Sequence, residues 1–256
     1  MSAHIAWISV TPVKATALHL VDEIELLESG PKGDRRFYLI TEVGRLVNNK
    51  DCGPLQLVRA DYDERADELT LRLPGGAVVS GPVERGEEVE TRFHSRPRTA
   101  RLVRGPWGEA LSKLVGQAVR LVEPEHGAAD RGRAGAATLL GTASLGALAE
   151  PLGVHEVDGR RFRMNFGVEG LAPHEEDGWL GRRVAIGEAV VVPQGNVGRC
   201  VVTTQSPDSG QTDLDTLKAL AAYRGHVETT EPLPFGVHAA VAQAGRVRVG
   251  DRVETL

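Results

Sequence analysis

The chain has 256 residues, an ordinary apolar fraction and a formal charge of −5. No basic tail is present, which argues against a nucleic-acid partner. No apolar run approaches the eighteen residues of a membrane span, and two cysteines make no disulfide framework, so the expectation is a reducing, cytoplasmic setting with no membrane partner.

In chain order, Ile5 to Val10 reads as a first strand that runs into Thr11-Pro12-Val13-Lys14. Lys14 is either a solvated lysine or a phosphate contact. Val21 to Leu27 alternates apolar and acidic residues and predicts a half-buried strand. Gly30 to Arg36 is a densely charged turn. Its adjacent arginines, Arg35 and Arg36, point to opposite faces if extended, one to solvent and one to a cavity. Short strands are predicted at Phe37–Ile40, Leu46–Val47, Leu55–Asp61, Glu68–Leu73, Val78–Val79 and Val89–Phe93, with turns between them. Cys52 lies in a polar loop as a bystander. Such closely spaced strands suggest a barrel or sandwich rather than a doubly wound sheet.

The pattern changes at Pro106. Trp107, Leu111, Leu114 and Val115 recur at helical spacing, and Gly116 suits a helix stop. Val119–Val122 is a strand, and Glu125–Ala137 is a loop without periodicity. A second helix begins at Thr142, read as its N-cap, and runs to about residue 152. Phe162, Met164, Phe166 and Val168 alternate with Arg163, Asn165 and Gly167, which predicts a strand with Arg163 and Asn165 on one face. That face either meets solvent or lines a polar site. Asp213–Tyr223 reads as a third helix, and Phe235–Val241 and Arg252–Thr255 as late strands.

The densest chemical signal is Gly198 to Gly210, with Arg199-Cys200 followed by Val201-Val202-Thr203-Thr204 and a Pro-Asp-Ser-Gly turn. The β-branched run predicts a strand with Cys200 at its start. A thiol at such a junction beside a cation is either a buried structural cysteine or a thiolate, the nucleophilic and metal-binding form.

Taken together and in order, Thr11–Lys14, Gly33–Phe37, Phe162–Asn165, Glu176–Trp179, Arg199–Thr204, Pro207–Gly210 and Val249–Asp251 make the chain resemble the MOSC proteins, named for the C-terminal domain of molybdenum cofactor sulfurase. The resemblance implies a mainly β protein with a few helices: an N-terminal β-barrel region over residues 1–95 and a MOSC β-barrel domain over 96–256, with the last strands packing back on the N-terminal region. It implies a bound molybdenum–molybdopterin cofactor, with Cys200 as metal ligand and Lys14, Arg35, Arg163 and Asn165 as contacts to the pterin or its phosphate. Similarity to the amidoxime-reducing members implies reduction of small N-hydroxylated substrates. With no cluster of iron–sulfur cysteines and no dinucleotide loop, electrons would come from an external flavin, iron–sulfur or haem protein. The same thiolate chemistry also suits a sulfur carrier with a Cys200 persulfide, or a non-catalytic cofactor carrier.

The chain departs from those relatives at four places. Ala15 and Gly198 stand where they carry serine, and Arg133-Ala134-Gly135 stands where they carry Asp-Thr-Ser. His238 replaces an aromatic residue. On this reading Arg133 reaches the phosphate directly, Gly198 keeps its cofactor-side position, and His238 serves as a catalytic acid near the metal.

Overall fold

The computed structural model describes residues 2–93, 96–125 and 130–256. The strands are, in order, β1 (His4–Val10), β2 (His19–Val21), β3 (Glu23–Leu27), β4 (Gly30–Pro31), β5 (Tyr38–Thr41), β6 (Leu46–Val47), β7 (Arg59–Asp63), β8 (Glu68–Arg72), β9 (Val78–Pro82) and β10 (Glu84–Phe93). There follow β11 (Arg96–Arg104), β12 (Val119–Pro124), β13 (Ala137–Gly141), β14 (Phe166–Glu169), β15 (Val184–Ile186), β16 (Ala189–Gly198), β17 (Pro234–Gln243), β18 (Gly245–Arg248) and β19 (Val253–Thr255). The α-helices are α1 (Trp107–Val115), α2 (Thr142–Leu152) and α3 (Thr216–Arg224). The architecture is mainly β with a few helices, as expected, and among the described residues no helix is long and apolar enough to cross a membrane.

The largest sheet has eight strands in the order β19-β15-β16-β17-β13-β14-β1-β2. Its pairings are antiparallel except β13 with β14, whose crossover carries α2. A five-stranded sheet, β10-β11-β12-β5-β6, and a three-stranded sheet, β7-β8-β9, are built from the first half of the chain. The two halves share strands. β1 pairs with β14, β18 pairs with β3, and Ile5 exchanges backbone hydrogen bonds with the 250–251 turn. One apolar cluster packs on the large sheet with Ile5, Ile8, Phe166, Ile186 and Val237 among others, and a second joins Phe37, Leu55, Leu71 and Leu121 to Trp107 of α1. Trp107 is fully buried, and its Nε1 donates to the Leu69 carbonyl at 2.9 Å, so the indole carries no unpaired donor into the core.

Several predicted elements fold differently. Val201–Thr204 forms a 3-10 turn rather than a strand. The hydroxyls of Thr203 and Thr204 donate back to the carbonyls of Cys200 and Val201, at 3.0 and 2.7 Å. These local bonds outweigh the extended preference of a β-branched run. The stretch Phe162–Val168 is likewise not one strand. Gly159–Phe162 is a 3-10 turn, Arg163 adopts φ 54°, and pairing begins at Phe166. In the first half, Gly53–Leu57 is a 3-10 turn with Pro54 at its start, and the strand begins only at Arg59. Thr142 is the first residue of α2 rather than its cap, and Gly141 holds the cap position, its N–H donating to the buried Glu176 carboxylate at 3.1 Å. The third helix starts at Thr216, capped by Asp215, whose carboxylate accepts from the Lys218 N–H. Within the expected loop, residues Gly132–Gly135 form a 3-10 turn that leads into β13.

Candidate functional site

A cavity of about 550 Å³ opens between the Lys14–Arg35 region, the Gly198–Thr203 segment and residues 130–138. Cys200, His238, Gly198, Lys14, Arg35 and Arg163 all line it, together with Asn165. They arrive from distant points of the chain: Lys14 from just after β1, Arg35 from the turn before β5, Arg163 from the turn before β14, and Cys200 from the end of β16.

The cationic wall is built around Asp34. This carboxylate is nearly fully buried. It accepts from the Thr11 N–H at 2.8 Å, from Asn165 Nδ2 at 2.9 Å and from Arg35 Nη1. Arg35 sits at φ 47° and sends Nη2 to the Arg163 carbonyl at 2.7 Å. Arg36 leaves the wall and pairs with Glu123 at 2.7 Å, stacked over Tyr62. The two arginines do part company, but through a turn rather than a strand. Asn165 is 2 % exposed. Its Nδ2 also reaches the Ser9 carbonyl at 3.3 Å, and its Oδ1 accepts from Thr138 at 2.9 Å. Its amide therefore fixes Asp34 and the strand ends around it.

Two guanidiniums in the wall differ from the rest. Arg163 donates to the Thr16 carbonyl at 2.7 Å. Burial pushes its pKa down to about 9, with the Arg35 cation adding to the fall. Arg199 donates to the carbonyls of Phe235 and Phe162, the latter at 2.9 Å, and lies against Met164 Sδ. Burial pushes its pKa down to about 9 as well. Among the described residues neither ion-pairs with a carboxylate. Both remain charged at neutral pH inside a poorly solvated wall, which favours a bound anion. Arg161, by contrast, forms a two-pronged pair with Asp213 at 2.6 and 2.7 Å, and that pair holds the Asp213 carboxyl below the usual carboxylate range.

Cys200 is partly exposed at the cavity, and its backbone carbonyl, not its thiol, anchors the following turn. Cys52 lies elsewhere. Its thiol donates to the Leu114 carbonyl at 3.6 Å, and burial raises its pKa. At residue 198 a side chain would fit tightly, because a Cβ would stand 3.0 Å from the Pro232 carbonyl oxygen.

Arg133 is not brought to the cavity. Its side chain is 72 % exposed and faces Glu28 across 3.8 Å. The arginine that reaches the cavity from this segment is Arg131, paired with Glu231 at 2.7 Å. The aperiodic composition of residues 125–137 gave no signal for it, since position in a turn decides which side chain turns inward.

His238 lines the cavity from β17, where Gly195 of the paired strand leaves room for the ring, since a Cβ there would stand 2.8 Å from Nε2. Nδ1 lies 3.0 Å from the Ala134 carbonyl, an acceptor only, so Nδ1 carries the proton and Nε2 is left as an acceptor. Burial lowers its pKa below 6.5, with the Ala134 bond opposing and the Arg131 cation adding to the fall. At neutral pH this imidazole accepts a proton rather than donating one from the charged form. A folded pKa below the unfolded one means stability that is complete above about pH 6.5 and is lost as pH falls through the folded value. Nitrogen-15 NMR is expected to show the neutral Nδ1–H form at pH 7 and a midpoint below 6.5; a midpoint at or above 6.5 would contradict this account.

Fold and site define a β-rich protein with an arginine-lined cavity and one partly exposed thiol at its wall. The MOSC domain model matches residues 123–254, the MOSC N-terminal beta barrel domain model matches residues 2–116, and the chain belongs to the MOSC family. It is similar to the mitochondrial amidoxime reducing component 2 of Bos taurus, at 27 % identity over 95 % of this chain and 80 % of that protein. Other similarities are partial. The human protein of the same name is 37 % identical over 36 % of this chain and 29 % of its own length. The molybdenum cofactor sulfurase of Oryza sativa is 39 % identical over 27 % of this chain and 8 % of its own length. Among solved structures, the YUAD protein of Bacillus subtilis covers all of this chain and 96 % of its own with a TM-score of 0.50 at 14 % identity, a likeness of fold alone.

Proposed function

We propose that the chain binds the molybdenum–molybdopterin cofactor in this cavity and reduces small N-hydroxylated compounds, using electrons from a separate flavin, iron–sulfur or haem protein. The observation that carries the reading is the pairing of a partly exposed thiol with half-buried guanidiniums that form no carboxylate ion pair among the described residues. The donor set fits the group. A thiolate suits a metal in a sulfur-rich sphere, and guanidinium forks with an ammonium suit a phosphate. The amidoxime-reducing name of a relative matched along most of the chain supports the choice of substrate class.

When bound, the cofactor supplies a two-electron redox centre. The remaining work falls to the chain. Cys200 would hold the metal, and Lys14, Arg35 and Arg163 would hold the phosphate end. The buried Asp34–Asn165 pair keeps Arg35 in place, and His238 Nε2 offers a proton acceptor at the wall. Two free cysteines suit a reducing, cytoplasmic compartment.

The test is the molybdenum content of protein made in a host that produces the cofactor, followed by amidoxime turnover with a chemical reductant. Near-stoichiometric metal and turnover are expected. Folded protein without molybdenum would sink the reading, and a persulfide on Cys200 detected by mass spectrometry would then favour sulfur transfer. Metal without turnover would favour a cofactor carrier.

A further inference from the structure

Three carboxylates line the cavity beside its cations, and two of them, Asp34 and Asp130, are held differently. Asp34 is 6 % exposed at its side chain and locked by Thr11, Asn165 and Arg35. Asp130 is 49 % exposed, and its Oδ1 sits 2.7 Å from Lys14 Nζ, while the lysine side chain is only 10 % exposed. Lys14 lies over the Phe93 ring at 5.2 Å, so its ammonium has little solvent of its own. A half-exposed carboxylate therefore meets a buried ammonium from the cavity side.

We propose that Asp130 is a built-in counter-ion that an incoming phosphate group must displace from Lys14, and that it thereby weakens anion binding at this wall. Every anion bears the same cost of breaking the Lys14–Asp130 pair, and the released carboxylate repels a doubly charged ligand at least as strongly as a singly charged one. A phosphate that breaks the pair forms charge-assisted bonds to Lys14 in its place, and these are strong where water is scarce. This deepens the cofactor reading, on which it rests for the identity of the natural ligand.

The experiment uses the full chain prepared without molybdenum, titrated by calorimetry with inorganic phosphate and, separately, with formate. Asp130→Asn should bind phosphate about five- to ten-fold tighter than wild type, the scale of one partly buried ion pair removed. Formate should gain no more than phosphate, because the cost of breaking the pair is common to both anions. Asp130→Glu, which keeps the charge, should behave as wild type. Equal phosphate affinity in Asp130→Asn and wild type overturns the counter-ion role, and so does an absence of phosphate binding in every variant. Molybdenum content, measured separately, keeps the two ideas apart. Metal-loaded protein with no Asp130 effect refutes the counter-ion alone, and a clear Asp130 effect in protein that never loads metal refutes the cofactor reading alone.

Discussion

On the proposed function, Cys200→Ala is expected to bind no molybdenum and to show no amidoxime turnover while remaining folded. The substitution removes a partly exposed thiol and leaves the backbone carbonyl that accepts from both the Thr203 N–H and hydroxyl. The 3-10 turn behind it and the Thr203–Thr216 hydroxyl contact at 2.7 Å do not depend on the sulfur. Unfolding of the variant should therefore follow wild type within about 1 kcal/mol, as for a change away from the core. Turnover should fall by more than about 100-fold, the upper range seen when only an outer hydrogen-bond partner of a metal ligand is removed. Cys200→Ser should rescue little, because an alkoxide is a hard ligand and a poor substitute for a soft thiolate. Metal retained at wild-type level in Cys200→Ala would remove the thiol from the metal's coordination.

The second large effect is structural. Gly53→Ala should destabilise the fold by on the order of 3 kcal/mol, the upper range for overpacking. A Cβ on residue 53 would stand 1.9 Å from the Gly210 carbonyl oxygen, and one on residue 210 would stand 2.5 Å from the Gly53 carbonyl carbon. Two backbones touch there, with no flexible side chain to yield. The contact presses the Gly53–Leu57 turn against the Pro207–Gly210 turn. Beside it the Gln56 and Gln205 amides bond at 2.9 Å, and Gln205 reaches the Asn49 carbonyl at 3.0 Å. Asn49 lines the cavity, so the same substitution should loosen cofactor retention. Gly146→Ala is the contrast. It lies exposed in α2 with nothing near its Cβ, and alanine there should stabilise by about 0.5–1 kcal/mol. Chemical denaturation of the two variants decides the matter, and a Gly53→Ala midpoint equal to wild type would contradict the packing account.

Much of the fold was legible because its strands are short, apolar and punctuated by turns. α1 and α2 were legible because leucines recur at helical spacing within them. What failed to read was local and had physical causes. Val201–Thr204 has the composition of a strand, but its threonine hydroxyls bond to carbonyls three residues back and hold a turn. Arg163 and Asn165 alternate with apolar residues, yet the positive φ at Arg163 breaks the strand between them. They still face one cavity, for a reason that alternation does not contain. The organising role of Asp34 was hidden in a charged turn, where a carboxylate that binds a backbone N–H, an amide and a guanidinium looks like any surface acid. Arg131 and Arg133 are two residues apart in a segment without periodicity, and only the turn at Gly132–Gly135 decides which of them enters the site.

The sharing of strands between the halves has a consequence for how the molecule comes apart. The edge of β1 is completed by β14 on one side, and residues 3 and 5, at its start, bond to residues 253 and 251. β18, late in the chain, closes onto β3. The segments matched by the two family models are therefore laced through each other, and the eight-stranded sheet is not finished until both have been synthesised. A protease nick between them would sever the covalent thread while the fragments continued to travel as one particle.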